Sequence, residues 1–246
     1  ILQTENRCHI ILHFGTCNAI IKTVTYNKGF YFRGECFIIM KELFRKCWHG
    51  LFALYIFIYL PWFFYVEGLT DLNFTEIHCF LDDLIPFEEV FIIPYILWAF
   101  YVLAACVFLF FKEERGMFLR YAITLTGGMS IAMIIYMIFP NCVNLRPDVL
   151  TNNTVFSRVV AQLYAIDTST NVFPSIHVLN SIIVCVALEK NKTFKKFPIL
   201  RVLNVVLAVS ICLSTLFLKQ HSVLDGLGSV VLYAVLYLAL YVPDWK

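Results

Sequence analysis

At 246 residues, 60% hydrophobic and only 15% charged, the chain is too poor in charge for a soluble domain, which carries roughly 25%. Its net charge of +2 says nothing about nucleic acid, but no Lys/Arg-rich patch is interleaved with aromatics on a soluble face, so no nucleic-acid partner is expected. The apolar runs are continuous rather than alternating, each near the roughly 20 residues that cross a bilayer as a helix. The expected fold is therefore all-α: a polytopic membrane protein built as a six-transmembrane-helix bundle.

Residues 1–39 differ from the rest. The chain opens at Ile1, and Met40 begins a basic segment with Lys41, Arg45 and Lys46 directly before an apolar run. The expectation is a membrane domain over 40–246 with Met40 as its natural start. Residues 1–39 are then an extension foreign to it, or, on the competing reading, a short basic cytoplasmic arm carrying Lys22, Lys28 and Arg33. Within them, residues 8–21 are too polar and too short for a span.

The first expected span is 50–66, where Pro61, Trp62 and Tyr65 suit a membrane helix near its interface. An acidic loop covers 67–89. The second span is 90–111 and the third 121–140, separated by a charged turn. A long polar connection over 141–172 leads to the fourth span at 173–188. A basic loop follows, then the fifth span at 202–218 and the sixth at 222–242. Gly127 with Gly128, and Gly226 with Gly228, are positions for close helix packing.

The basic residues set the orientation. One set of flanks carries Lys41, Arg45, Lys46, Lys112, Arg115, Arg120, Lys190, Lys192, Lys195, Lys196, Arg201 and Lys246. The opposite set carries only Arg146, Arg158 and Lys219. Both termini are expected in the cytoplasm, with Arg146, His177 and His221 together at the outer face. Usage rich in Phe, Ile, Tyr, Asn and Lys suggests an AT-rich bacterial genome, and hence the plasma membrane.

Nine cysteines are present, none in a Cys-x-x-Cys pair, so zinc-ligand spacing is absent. Most read as buried free thiols. Cys79 and Cys142 fall in loops on one side, where a disulfide is the alternative. Three Asn-x-Ser/Thr patterns, at Asn73, Asn152 and Asn191, fall on both sides of the expected membrane, so the pattern alone assigns nothing.

Histidine is expensive in a bilayer unless it serves a purpose. His221 and Asp225 stand at i, i+4, a spacing that shares one helical face. The carboxylate then fixes the tautomer of the ring and leaves the other nitrogen free as nucleophile or base. The bland alternative is a polar contact between helices. Pro174, Ser175 and His177 stand at a helix start, where free amides and the Ser175 hydroxyl favour an anion. Alone, this is a helix entry with an interfacial histidine. Arg146, before Pro147, is the residue best shaped to grip phosphate oxygens, although one arginine beside a span more often snorkels to head groups. Asp82, Asp83 and Glu88 read as a solvated loop, with an amine- or sugar-binding role as the alternative. His78 reads as an exposed histidine.

In order, Arg146-Pro147, then Pro174-Ser175 with His177, then His221 with Asp225 fall at the ends of the third, fourth and sixth spans. This pattern resembles the type 2 phosphatidic acid phosphatase family of membrane lipid phosphatases. The resemblance implies that His221 takes the phosphoryl group as a phosphohistidine, that Asp225 orients it, and that His177 protonates the departing alkoxide. It implies that Arg146 and Ser175 cradle the phosphate, with no metal and no cofactor. The implied partners are the membrane and a lipid phosphate, such as phosphatidic acid, phosphatidylglycerol phosphate or a polyprenyl pyrophosphate. Two cations of the family pattern are missing: Phe139 and Thr215 stand in their places. Lys219 is the expected substitute for the second, and Asn141, Asn144 or Arg158 for the first. The alternatives are a lipid head-group phosphotransferase of the inositol-phosphorylceramide or sphingomyelin synthase type and a non-catalytic transporter or scaffold.

Overall fold

Phe57, Ile58, Phe100, Leu103, Ile199, Val202 and Val231 all stand exposed on helix surfaces. Contiguous apolar surface on that scale marks a lipid-facing exterior. The structure is a computed structural model that describes residues 48–69, 71–147 and 154–242. The expectations for Met40 and residues 1–39 lie outside the described residues, as does the Asn152 pattern. One compact unit, from Phe52 onward, holds the bundle and the site.

A 3-10 stretch, Trp48–Tyr55, leads into α1 (Ile56–Glu67), which carries Pro61 in its interior. Then come β1 (Thr75–Glu76), α2 (Phe80–Leu84), α3 (Ile92–Lys112) and α4 (Arg115–Ile138). β2 (Asn141–Cys142), α5 (Val155–Ile166), α6 (Ile176–Lys190), α7 (Pro198–Phe217) and α8 (Val223–Tyr241) complete the order. The fold is all-α in character. The polar loops hold what the sequence reading left as connection: β1, α2 and the amphipathic α5.

Among the described residues, five helical stretches are long and apolar enough to cross a membrane: Gly50–Glu67, Glu89–Lys112, Arg115–Ile138, Pro198–Phe217 and Val223–Tyr241. The expected fourth span is realised as α6, whose 15 residues reach only about 22 Å at 1.5 Å per residue, against a hydrocarbon core of about 30 Å. Its sequence explains the difference. Asn180 and Ser181 are buried on it beside Leu179, Ile183 and Val184. It is shielded by protein rather than lipid, packing against α3, α4, α7 and α8. The main core gathers on this helix, with Tyr121, Leu125, Met129, Ala132 and Tyr136 presented by α4.

Gly128 lets α4 approach α6 and α8: a Cβ there would stand 3.1 Å from Leu179 Cδ2 and 3.2 Å from Leu236 Cδ1. Gly228 is tighter, since its Cβ would meet the Phe173 ring at 2.5 Å. Gly127 and Gly226 have open space, so the expectation of close packing holds for only one glycine of each pair. Gly228→Ala is expected to destabilise the protein by about 1–3 kcal/mol through overpacking. Gly226→Ala is the control, expected to be neutral or slightly stabilising through helix propensity. Thermal unfolding in detergent compares the two, and equal melting temperatures would refute the steric account.

The loops at one end of the bundle are knitted together. β1 pairs in parallel with β2, and Cys142 bridges to Thr170. Asn141 is the clamp: its Oδ1 accepts from Val172 N and Phe173 N at 2.8 Å each, while its Nδ2 donates to Phe139 O at 2.7 Å. Asn141 is thus committed to the backbone before α6 and does not replace the missing first cation. Cys79 and Cys142 are free thiols rather than a disulfide. At the other end, Asn191 is a buried clamp whose Nδ2 donates to Glu113 Oε2 at 2.8 Å and Lys112 O at 3.2 Å.

Candidate active site

Two helix starts build the site. Ser175 is the N-cap of α6, its Oγ accepting from Val178 N at 3.4 Å. Phe173-Pro174 is a cis peptide bond, and Tyr136 Oη donates to Pro174 O at 2.7 Å. His177 then falls in the first turn of α6, as expected. Ser222 is the N-cap of α8, accepting from Leu224 N at 3.1 Å. Asp225, at the third helical position, reaches back to accept from Ser222 N at 2.8 Å, which completes a capping box.

The two starts are bonded to each other. Ser175 N donates to Asp225 O at 3.2 Å, and Ser229 Oγ donates to Ser175 O at 2.7 Å. Ser175 is therefore buried and structurally engaged through its amide, carbonyl and hydroxyl. It joins α6 to α8.

His221 Nδ1 lies 3.3 Å from Asp225 Oδ2. The expected shared helical face is not how they meet, because His221 precedes α8. The capping box turns the Asp225 carboxylate back toward the helix start, and that brings it to the ring. His221 and His177 stand with ring centroids 5.8 Å apart. On its other sides His177 packs against Tyr95 at 4.6 Å and Trp98 at 4.3 Å.

Arg146 sits in the loop after β2. It donates to Asp167 O and Thr168 O at 2.8 Å each, to Tyr164 O at 3.3 Å, and to Gln220 Oε1. Its guanidinium lies 4.4 Å from the centroid of the Tyr164 ring. Burial pushes its pKa down, and the nearby Asp167 carboxylate opposes that. The link through Gln220 places Arg146 one residue from His221.

Lys219 is oriented differently from the expectation. It takes a left-handed conformation, φ 54°, at the turn out of α7. Its Nζ donates to Asp82 O at 2.7 Å and to Ile85 O. The ammonium is thus engaged with the acidic loop, where burial pushes its pKa down and the nearby Asp82 opposes. Thr215, in the place of the missing second cation, works through its carbonyl, which accepts from Gln220 N at 3.0 Å and His221 N at 3.1 Å.

Asp82 also departs from the solvated-loop reading: it is 2% exposed. Its Oδ2 accepts from Ser222 Oγ at 2.6 Å and its Oδ1 from Val223 N at 2.8 Å. His78, by contrast, is exposed and paired with Asp83 at 2.9 Å. Sequence reasoning singled out Asp82 only as a solvated residue and missed Gln220, Asp167, Tyr95 and Trp98. Only Gln220 carried a local signal, being adjacent to His221.

An all-α chain with a lipid-facing exterior, and with two histidines and an arginine gathered where helix starts meet, defines a membrane protein of phosphatase type. The family model described as the PAP2 superfamily matches residues 120–246, and the chain belongs to that superfamily. The match runs from the start of the third expected span through Arg146, His177 and His221. No curated protein and no solved structure matches the chain.

Proposed function

We propose that the protein hydrolyses a lipid phosphomonoester or pyrophosphate through a phosphohistidine intermediate. The observation that carries this reading is the pairing of His177 with His221 at 5.8 Å, with Asp225 on one nitrogen of His221. Asp225 holds Nδ1, so Nε2 is the nitrogen left to attack phosphorus in line with the leaving oxygen. His177 donates its proton to the alkoxide as the P–O bond breaks. In the second step it takes a proton from water, whose oxygen attacks phosphorus, and the P–N bond breaks to release phosphate and neutral His221.

Arg146 supplies positive charge to the equatorial oxygens. Ser175 contributes by holding the α6 start in place. α6 is read as the fourth crossing, a short one enclosed by the other helices, which brings the count to six. The charge bias of the loops supports cytoplasmic termini and a site at the outer face of a plasma membrane. Head groups there meet the polar cluster while the tails stay in lipid.

The test is phosphate release from short-chain phosphatidic acid by the purified full chain in detergent with EDTA. Release that persists in EDTA and disappears in a folded His221→Asn variant supports the reading. No release from folded wild type across mono- and pyrophosphate lipids overturns it.

A further inference from the structure

Near His221 two buried hydrogen-bond donors have no acceptor among the described residues: Gln220 Nε2 and Arg146 Nε. Burying such groups unpaired is costly, so each calls for a partner. The amide is not free to turn, because Oε1 is taken by Arg146. Nor is the backbone, since Thr215 O holds the amides of both Gln220 and His221. At 2% exposure, Gln220 presents a fixed N–H pair one residue from the proposed nucleophile. A third unpaired buried donor, Trp98 Nε1, lies on the ring packed against His177.

The surrounding charge is sparse. Phe139 and Thr215 are neutral where the family pattern has cations, and the ammonium of Lys219 is turned to the carbonyls of Asp82 and Ile85. Among the described residues, that leaves Arg146 as the permanent cation of the cluster. Asp167 stands against it, with its carboxylate accepting from Tyr95 Oη at 2.6 Å. Glu67, which accepts from Thr168 Oγ1, and His177, His221, Asp225 and Tyr164 are the other titratable groups of the cluster among the described residues.

From this geometry we propose that Gln220 is a ligand of the substrate phosphate, and that the site takes a phosphate group bearing one negative charge in preference to two. The proposal rests on the phosphatase reading. A neutral amide donor satisfies a phosphate oxygen without adding charge, and one arginine balances one anion. A second negative charge would be desolvated with no further permanent cation among the described residues of the cluster and with Asp167 nearby. A phosphomonoester enters as its singly protonated form, and its bound form is lost as the second proton leaves at a pKa of about 6.

The test uses wild-type protein in detergent and two uncleavable probes. An alkylphosphonate loses its second proton near neutrality, while its monomethyl ester stays singly charged. The ratio of their Kd values cancels the titrations of His177, His221 and Asp167, which both probes share. Between about pH 6 and about pH 9 the phosphonate is expected to weaken about tenfold or more relative to its ester. In Gln220→Lys the added cation should hold that ratio within about threefold. Gln220→Glu keeps the bond to Arg146 but removes the donor, so both probes should bind about ten- to a hundredfold more weakly with melting temperature unchanged. A residue that merely held Arg146 would not set the new ammonium against the phosphate, so the Gln220→Lys ratio would stay as steep as in wild type.

A flat wild-type ratio, or full binding by Gln220→Glu, overturns the proposal, and the wild-type ratio decides even if a variant misfolds. Failure of the underlying reading is distinct: wild type would release no phosphate from any lipid phosphate, whatever the probes show.

Discussion

Replacing His221 by asparagine is expected to reduce phosphate release by a factor on the order of 10⁴–10⁶ while the protein stays folded, the scale seen when an enzyme loses its nucleophile. His221 is buried, but among the described residues its ring makes one hydrogen bond, the 3.3 Å contact to Asp225, on which the fold depends little. Asp225 keeps its stronger bond to Ser222 N at 2.8 Å when the ring is gone. The helix cap therefore survives the change. A brief reaction with labelled lipid phosphate should leave phosphate bound to wild type, stable in base and lost in acid, and none bound to His221→Asn. If His221→Asn retains turnover, or takes up the same acid-labile label, His221 is not the nucleophile.

The chemistry was more legible in the sequence than the support beneath it. His177 and His221 stood out because polar residues are conspicuous in apolar runs, and the loop charges lead to the expectation that both lie at one membrane face. The helices were legible for the same reason, although α4 begins at Arg115, ahead of the apolar stretch, because a helix continues through charged residues that can face water. The capping box escaped the periodicity argument. Residues i and i+4 read as one helical face only if both are helical, and His221 is not. Lys219 escaped for a different reason. Its carbonyl partners lie in a loop far away in sequence, and nothing local to Thr215 or Lys219 marks where the ammonium turns. α5 was hidden because its helix is short and amphipathic, set within a connection whose polar residues looked like loop.

Asp82 is where that hidden support is most concentrated, and Asp82→Ala is expected to cost about 2–5 kcal/mol of stability by leaving buried donors unpaired. Three lose their acceptor: Ser222 Oγ, Val223 N and Cys79 N. A negative charge also leaves the N-terminus of α8, where the helix dipole favours it. Because Ser222 adjoins His221, the loosened start should lower kcat by about 10–100-fold even in the fraction that stays folded, since small misplacements of reacting groups are costly.

The pH dependence has a definite sign. Burial acts to raise the Asp82 pKa, but the hydrogen bonds from Ser222, Val223 and Cys79 overcome it and hold the group below its ordinary value of 3.8. A depressed carboxylate stabilises the fold fully above that ordinary value and loses the contribution as pH falls through the folded pKa. Wild type should therefore lose melting temperature on acidification below about pH 4, and Asp82→Asn should show a shallower acid limb. Equal melting temperatures for wild type and Asp82→Ala at neutral pH, with equal kcat, would mean that the acidic loop does not hold the His221 turn in place. Loss of stability with kcat unchanged in the folded fraction would confine Asp82 to a structural role. Loss of both is the expected result, because one carboxylate caps the helix that presents His221 and also ties that helix to the loop against which Lys219 is anchored.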